Sequence, residues 1–333
     1  MEAGPQQAWI FVRLNSAVPL RQRPVYSKIS VPMPHTLAKS RRICEPLTCS
    51  IFEPGFQPHL DSSSASMAKV TRRASIATTL RAAGCVFAED EARLLIGAAR
   101  HPDELRHMVD QRLSGLPLEH IVGWADFCGK RMTVSPGVFV PRRRTEFLVR
   151  QAAMIAKPGA VVVDLCCGSG AMGAALNDLV GSCELHASDI DSAAVQCARR
   201  NVEPRGGRVH QGDLYEALPK TLRGKVDVLL ANAPYVPTGS IGMMPPEARL
   251  HEPRVALDGG ADGLAVQRRL ALDAAQWLAP GGFLFIETSQ AQAPETAGVL
   301  AESGLLANVV SDRDMGATIV VGSDRESGGT ISF

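Results

Sequence analysis

The chain has 333 residues, of which 45% are hydrophobic, and a formal net charge of +1. This length and apolar content are sufficient for two domains, each with a core of its own. The near-neutral charge argues against a protein whose whole surface binds nucleic acid, although it is compatible with a local basic patch.

The eight cysteines include no Cys-x-x-Cys pair and follow no regular spacing. This pattern indicates free thiols rather than a zinc site or a disulfide framework.

No segment reaches the ~20 consecutive apolar residues that span a bilayer, and the N-terminus lacks the order of charged, apolar and small residues that marks a secretory signal. We therefore expect a soluble, cytoplasmic protein that binds neither a metal nor a membrane.

Residues 1–66 differ in composition from the rest of the chain. They are rich in Pro, Ser and Gln, and they show no sustained period of 2 or 3.6 residues. Such a segment cannot bury enough apolar surface to offset its ordering entropy, so we expect it to stay outside the fold. It is compatible with a transit peptide, but the preferred interpretation is a non-native extension before a natural start at Met67. Residues 326–333 are predicted to form a flexible tail.

The segment 67–123 has the pattern of a small helical domain. Apolar residues recur at helical spacing within 76–83 and 89–100, and Pro102 followed by two acids marks a third helix. An alternation of apolar and polar residues then predicts a β-hairpin within 124–142, which links this domain to the next.

Strands and helices alternate through residues 143–325. The predicted strands are 160–165, 184–188, 208–211, 226–231, 283–287, 305–310 and 317–321, and the predicted helices are 144–156, 170–180, 192–201 and 264–278. This alternation predicts a mostly parallel sheet that is covered on both faces. Ligands of such sheets bind outside the carboxyl ends of the strands, where the strand order reverses.

The first strand of this domain runs into a glycine-containing loop that opens a helix. The candidate ligand-binding residues are Asp164, Cys166, Cys167, Gly168, Ser169 and Gly170. A dinucleotide site would require Gly-x-Gly-x-x-Gly with a pyrophosphate on the helix N-terminus, and only Gly-x-Gly is present. The Asp164 carboxylate would repel a pyrophosphate but attract the cationic aminoacyl end of S-adenosylmethionine, so the loop favours that cofactor.

Acidic residues also follow the next two strands. Asp189 ends the second strand, where a carboxylate can accept both ribose hydroxyls of NAD or of S-adenosylmethionine alike, whereas Asp191 is better placed to cap the next helix. After the third strand, Asp213 can accept from an adenine amino group while Leu214 packs on the ring. Acids after three successive strands together predict one nucleoside-binding edge.

The fourth strand is followed by a candidate acceptor loop, which consists of Asn232, Ala233, Pro234 and Tyr235. An amide nitrogen is a poor nucleophile because its lone pair is delocalised, so its two N–H groups must be held with the lone pair facing a methyl sulfonium. The Asn232 side-chain oxygen and the Ala233 carbonyl can accept these hydrogens, while Pro234 fixes the loop and Tyr235 covers the flat acceptor. Alignment is the main contribution that this chemistry requires.

Five further strings add to these loops. They are Pro-Leu-Glu-His-Ile-Val-Gly at 117–123, Phe-Cys-Gly at 127–129, Val-Ser-Pro-Gly-Val-Phe-Val-Pro-Arg at 134–142, His-Glu-Pro-Arg-Val-Ala-Leu at 251–257 and Gly-Gly-Ala-Asp-Gly-Leu at 259–264. Over residues 71–324 the chain thus resembles the release-factor glutamine methyltransferases of the PrmC/HemK family. These strings are far more specific than a glycine loop.

The resemblance implies an α/β, Rossmann-like, seven-stranded S-adenosylmethionine-dependent methyltransferase fold with a small N-terminal helical substrate-docking domain, joined by a β-hairpin at 134–142. It implies cofactor contacts from residues 166–170, Asp189 and Leu214, with Asn232 shared between cofactor and substrate. Because that family methylates the glutamine of the Gly-Gly-Gln loop in peptide-chain release factors, it also implies a protein partner in translation.

The chain departs from the family pattern at three places. The family usually has Asn-Pro-Pro-Tyr, where this chain has Ala233 at the second position, and commonly Gly where Cys166 stands. After Pro-Arg the family tends to have Pro-Glu-Thr-Glu, whereas Arg143 and Arg144 stand here before Thr-Glu. These changes suggest a divergent paralogue, for which both the release factor and another translation protein stay open as the substrate.

Two other functions stay open at this stage. A methyltransferase acting on the exocyclic amine of adenine in DNA or RNA uses similar loops, and the basic run 142–144 supports it, but no target-reading domain is visible. A non-catalytic cofactor-binding regulatory module is compatible with the altered acceptor loop. A dehydrogenase is disfavoured because the dinucleotide fingerprint is missing.

Overall fold

The computed structural model describes residues 62–324. The predictions for residues 1–61 and for the C-terminal tail lie outside the described residues. The first described helix, α1 (Ser62–Ala82), begins upstream of the domain boundary that the sequence suggests at residue 66.

The N-terminal part of the described chain is helical, as the spacing of its apolar residues predicts. Helices α2 (Ala88–Ala98), α3 (Pro102–Leu113) and α4 (Leu118–Val122) follow α1. The start of α3 carries the signals expected of a helix N-terminus, because Pro102 occupies the first turn and the His101 ring accepts a hydrogen bond from the Glu104 amide. The helices share a core of buried apolar side chains that includes Leu80, Leu95 and Leu105.

A short antiparallel hairpin links the two parts of the molecule. Strands β1 (Trp124–Phe127) and β2 (Lys130–Thr133) pair directly, and both turn residues, Cys128 and Gly129, have positive φ, as a tight two-residue hairpin requires. The expectation that residues 134–142 form the hairpin is wrong. They continue as an irregular segment, because a Pro-Gly pair at 136–137 removes an amide donor and turns the backbone to positive φ.

The remaining chain forms one α/β unit. Its elements are α5 (Thr145–Ile155), β3 (Val161–Leu165), α6 (Ala171–Val180), β4 (Glu184–Asp189), α7 (Ser192–Val202), β5 (Arg208–Gln211), β6 (Val226–Ala231), α8 (Pro246–His251), α9 (Ala265–Trp277), β7 (Leu278–Thr288), α10 (Ala293–Glu302), β8 (Leu306–Asp312) and β9 (Ala317–Ser323).

The seven strands β3 to β9 form one sheet in the order β5-β4-β3-β6-β7-β9-β8. The first five strands in this order are parallel, and β9 is antiparallel to both of its neighbours. Two hydrophobic clusters cover its faces, so that the central strands are buried on both sides. This topology confirms the predicted Rossmann-like methyltransferase fold, and the strand order reverses between β3 and β6, which places a ligand edge there.

The structure differs from the predicted elements in three places. Strand β7 begins at Leu278 rather than 283, since Leu278 already pairs with Val226 before an irregularity in the register. Helix α8 has only six residues, too few to show a period. Helix α10 was also missed, although its sequence carries a helix-start signal, with Pro in the first turn followed by Glu295.

The helical part is joined to the α/β unit by a buried ion-pair cluster. The Arg112 guanidinium contacts Glu91 at 2.7 Å within the helical part and Glu247 of α8 at 2.8 Å. The pair of Arg112 with Glu91 is buried, whereas Glu247 is partly exposed. The bond from the buried guanidinium to Glu247 is thus a polar contact that links the helical part to α8. Since α8 lies in the segment that follows the candidate acceptor loop, the helical part lies on that side of the molecule.

Candidate active site

The end of β3 supplies a fully buried carboxylate. Asp164 Oδ2 accepts a hydrogen bond of 2.9 Å from the Gly173 amide in α6. Asp164 Oδ1 has no hydrogen-bond partner among the residues that the structure describes. Burial raises the pKa of this carboxyl to about 8, although the bond from Gly173 opposes the shift. Oδ1 is therefore an unpaired polar atom, and a cationic donor beside it would favour the ionised carboxylate that burial disfavours.

The loop after β3 turns sharply through three residues with positive φ. Cys166 has φ 54°, Gly168 has φ 55° and Gly170 has φ 73°. The left-handed region is costly for a residue with a Cβ atom, so Cys166 carries strain where the family commonly has glycine.

The side chains of this loop are largely turned into the protein. Cys167 and Ser169 are buried, and the Cys167 amide donates to the Ser188 carbonyl at 3.0 Å. Gly170 packs closely on α7, because an added Cβ atom would lie 2.8 Å from the Val202 side chain. The loop therefore offers mainly its backbone to a ligand, as the sequence analysis expects of a small-residue loop.

Asp189 connects the end of β4 to this loop. Its Oδ2 accepts from the Gly168 amide at 2.8 Å and its Oδ1 accepts from the Asp191 amide at 2.9 Å. Burial raises the pKa of Asp189, and the two amide bonds oppose the shift. Asp191 caps α7 by accepting from the Ala193 amide, as predicted. Asp189 is thus the carboxylate that faces the glycine loop.

The third acidic loop has a partner that the sequence analysis missed. Asp213 Oδ2 is paired with Arg269 of α9 at 2.7 Å, and both side chains are partly exposed. Leu214, the next residue, has φ 48°, a conformation that non-glycine residues rarely adopt. The proposed adenine contacts of Asp213 and Leu214 stay predictions, but these residues do lie at the same sheet edge as Asp189.

The candidate acceptor loop begins at the end of β6. Ala233 and Pro234 are buried, whereas the Asn232 side chain is partly exposed and makes no hydrogen bond within residues 62–324. Beyond the loop, the Val236 amide donates to the Leu257 carbonyl at 3.0 Å, which ties the loop to the segment 251–264. The Asn232 amide is therefore available to a ligand.

The hydroxyl of Tyr235 lies in a buried polar cluster. It accepts from Arg144 Nη2 at 2.7 Å and donates to Glu287 Oε1 at 3.3 Å, and Arg144 Nε donates to the same Oε1 at 3.0 Å. Gln292 Nε2 donates to the Tyr235 carbonyl at 3.0 Å. Glu287 and Gln292 were not among the site residues predicted from the sequence. A carboxylate at the penultimate position of β7 was the signal available for Glu287.

The segment 134–142 packs on the same edge. Glu252 accepts from Arg142 Nη2 at 2.6 Å and from the Val140 amide at 3.2 Å. The Arg142 guanidinium lies 4.9 Å above the Phe139 ring. A Cβ atom at Gly168 would lie 3.9 Å from the Cβ of Phe139, so this aromatic residue adjoins the glycine loop.

These contacts change the interpretation of the basic run 142–144. Arg142 is paired with Glu252, and Arg144 is paired with Glu287 and Tyr235, while Arg143 is exposed. The guanidinium groups of Arg142 and Arg144 are therefore committed to partners within the protein. The run does not form the continuous basic surface that many phosphate contacts require.

Comparison with known proteins identifies the family. Residues 131–244 match the "Methyltransferase small domain" family. A release factor glutamine methyltransferase of Geobacter sulfurreducens is 35% identical over 227 residues, which are 67% of this chain and 79% of that protein. The release factor glutamine methyltransferase of Streptomyces coelicolor is 37% identical over 62% of this chain and 75% of its own length. The chain belongs to the PrmC/HemK family.

One relative in the comparison has a different substrate in its name. A 4-amino-L-phenylalanine/4-methylamino-L-phenylalanine methyltransferase of Streptomyces pristinaespiralis is 37% identical over 210 residues, which are 61% of this chain and 71% of that protein. The relatives thus share methyl transfer in their names and differ in the acceptor that is named.

This PrmC/HemK protein is a class I S-adenosylmethionine-dependent methyltransferase, and its cofactor is S-adenosylmethionine. The site fits that group. The unpartnered Asp164 Oδ1 lacks a donor such as the cofactor's ammonium group or a water bound to it. Each Asp189 oxygen accepts one backbone amide and keeps a lone pair for a ribose hydroxyl.

The described part of the chain shows neither a metal cluster nor a membrane-spanning helix. Within residues 62–324 no group of three or more His, Cys, Asp or Glu side chains is arranged to hold a metal ion. In the same part of the chain no helix is both long and apolar enough to cross a membrane.

Proposed function

We propose that this enzyme methylates the side-chain amide nitrogen of a glutamine on a protein, and that the glutamine is that of the Gly-Gly-Gln loop in a peptide-chain release factor. The observation that carries the proposal is the free Asn232 amide at the carboxyl end of β6, next to the strand that bears the glycine loop. The names of the relatives from Geobacter and Streptomyces coelicolor support the same substrate.

The proposed mechanism is one of alignment. Bound S-adenosylmethionine supplies an electrophilic methyl group on a sulfonium. The Asn232 side-chain oxygen and the Ala233 carbonyl accept the two amide hydrogens of the acceptor, so that its nitrogen lone pair faces the methyl carbon. The nitrogen would then bond to the methyl carbon as the bond from that carbon to sulfur breaks, with the electron pair of the broken bond left on the sulfur of the thioether product. One of the two hydrogens on the nitrogen would leave as a proton to water. Such orientation is worth several kcal/mol of activation free energy.

The replacement of proline by Ala233 is compatible with this mechanism. A backbone carbonyl serves as the second acceptor whichever side chain the residue carries. Ala233 is buried, and the loop is held by hydrogen bonds from Gln292 to Tyr235 and from Val236 to Leu257. The loop therefore has structural restraints other than a second proline.

A small aromatic amine is the second candidate acceptor. It is favoured by the 37% identity to the methyltransferase that acts on 4-amino-L-phenylalanine. An arylamine also presents a flat nitrogen with two hydrogens, so Asn232 and Ala233 would hold it in the same way. The two acceptors differ in size, and the docking role that the resemblance implies for the helical part applies to a protein substrate.

The test is a labelling experiment with S-adenosylmethionine that carries a labelled methyl group. The purified protein is incubated with the release factors of its host, with release factors whose Gly-Gly-Gln glutamine is replaced by glutamate, and with 4-amino-L-phenylalanine. Peptide mass spectrometry should find label on the glutamine and none on the glutamate variant. Label on the small amine alone would refute the proposed protein substrate and support the second candidate. No label in either reaction, with cofactor binding confirmed, would refute both.

A further inference from the structure

We propose that Arg144 is a positioning residue that orients Tyr235, and through it the acceptor loop, in place of the rigidity that a second proline would supply at Ala233. This inference rests on the proposed function only in taking residues 232–235 as the acceptor loop. Arg144 stands where the family tends to have an acid. Its side chain nevertheless points to the protein interior, towards Tyr235 and Glu287.

Three elements that are distant in the chain meet at this cluster. Arg144 directly precedes α5, Tyr235 follows β6, and Glu287 is the penultimate residue of β7. Two nitrogens of one guanidinium reach two different groups, because Nη2 donates to the Tyr235 hydroxyl at 2.7 Å and Nε donates to Glu287 Oε1 at 3.0 Å. The planar guanidinium therefore fixes the Tyr235 hydroxyl relative to the end of β7.

The protonation state of Tyr235 determines which hydrogen bonds its hydroxyl accepts and which it donates. Burial raises the pKa of its phenol to about 12, although Arg144 opposes the shift, so the group stays neutral at physiological pH. A neutral hydroxyl can accept from Arg144 and at the same time donate to Glu287. Both functions of the hydroxyl are then occupied, which leaves the ring one orientation.

The charge of Arg144 is also needed by Glu287. The side chain of this carboxylate is only 2% exposed, and its Oε2 has no hydrogen-bond partner among the described residues. A buried carboxylate without a paired cation is strongly unfavourable. Lysine would supply the charge. Its ammonium group lacks the planar geometry by which the guanidinium donates to Tyr235 and Glu287 at the same time.

The backbone next to Tyr235 is held independently of Arg144. Gln292 Nε2 donates to the Tyr235 carbonyl, and a Cβ atom at Gly263 would lie 2.4 Å from that oxygen. Loss of Arg144 should therefore free the tyrosine side chain and the residues before it without unfolding the segment beyond Val236. This separation allows a positioning role to be distinguished from a general loss of stability.

The experiment compares Arg144→Met and Arg144→Lys with Arg313→Met, an exposed arginine in the turn between β8 and β9. Affinity for S-adenosylhomocysteine, measured by calorimetry, should change less than about threefold in all three variants, because Arg144 does not contact the loops that carry Asp164 and Asp189. Hydrogen exchange of amides within 232–235 should accelerate by about tenfold in Arg144→Met, less in Arg144→Lys and not in Arg313→Met.

A double-mutant cycle with Tyr235→Phe decides whether Arg144 acts through the tyrosine. In the Tyr235→Phe background, Arg144→Met should accelerate loop exchange by less than about twofold, because the hydroxyl it holds is gone. Unchanged loop exchange in Arg144→Met, or an undiminished effect in the Tyr235→Phe background, would overturn the proposal.

If Arg144→Met fails to fold, Arg144→Met combined with Glu287→Gln removes the unpaired charge, and the same loop acceleration is expected of it. With an acceptor identified by the labelling experiment, Arg144→Met should lower kcat by at least about tenfold while cofactor affinity persists. Loop exchange requires no acceptor, so a failure of the proposed substrate and a failure of this inference give different results.

Discussion

Replacing Asp189 with alanine should weaken cofactor binding, and the structure provides a control in the same loop. The Asp189 carboxylate faces the glycine loop and keeps a lone pair on each oxygen, whereas Asp191 is engaged in capping α7. If Asp189 accepts ribose hydroxyls, Asp189→Ala should lose affinity while Asp191→Ala should not.

The expected magnitude follows from the type of hydrogen bond. Bonds to a charged acceptor contribute ~1.5–3 kcal/mol, and each 1.4 kcal/mol corresponds to about a tenfold change in affinity. Asp189→Ala should therefore weaken binding about 10- to 150-fold. Because the same carboxylate accepts the Gly168 amide, the variant should also lose some stability of the apoprotein.

The assay is calorimetric titration with S-adenosylhomocysteine, with the melting temperature of each apoprotein measured in parallel. Asp191→Ala should lower the free energy of unfolding by ~0.5–2 kcal/mol through loss of the helix cap, with affinity within about threefold of the parent. Equal affinity for Asp189→Ala and the parent, or a tenfold loss confined to Asp191→Ala, would refute the assignment of the ribose contact.

Three further predictions concern the neighbouring loops. Asn232→Ala should lower methyl transfer by ~100-fold or more with cofactor affinity retained, and turnover equal to that of the exposed control Asn308→Ala would exclude the proposed role. The pKa of Asp164 is raised from its ordinary value of 3.8 to about 8, so the ionised form is disfavoured in the fold and apoprotein stability should fall as pH rises from about 4 to about 8. The melting temperature should decline less steeply across this pH range for Asp164→Asn than for the parent protein. Parallel curves for the two proteins would contradict a raised pKa of Asp164. Cys166→Gly should raise the melting temperature relative to Cys166→Ala, since only glycine adopts φ 54° without strain, and the reverse order would show that the strain is not relieved.

The sequence by itself determined the architecture and the positions of the ligand loops. Strand 226–231 was predicted with its observed bounds, because a local hydrophobic run between turn residues indicates a buried strand. The bounds of strand 208–211 also match, although it contains a single apolar residue. The loops that bear Asp164, Asp189 and Asn232 could be placed at one edge because the carboxyl ends of parallel strands meet there.

The sequence could not show which polar side chains pair across the sheet. Arg144 and Glu287 are 143 residues apart, and Arg142 and Glu252 are 110 residues apart. An alternation of strands and helices does not specify that β6 lies beside β7, and hydrophobic periodicity contains no information about the partners of a charged group. For the same reason the arginines at 142–144 looked like a basic surface in the sequence.

Only the tertiary structure decided the roles of these charges and the restraints on the acceptor loop. Adjacency of β6 and β7 brings Glu287 to Tyr235, and the start of α5 brings Arg144 to both. A buried charge is stable only where another element supplies its counter-charge. That condition is met when distant segments pack together, so it is a property of the folded chain and not of any local stretch of sequence.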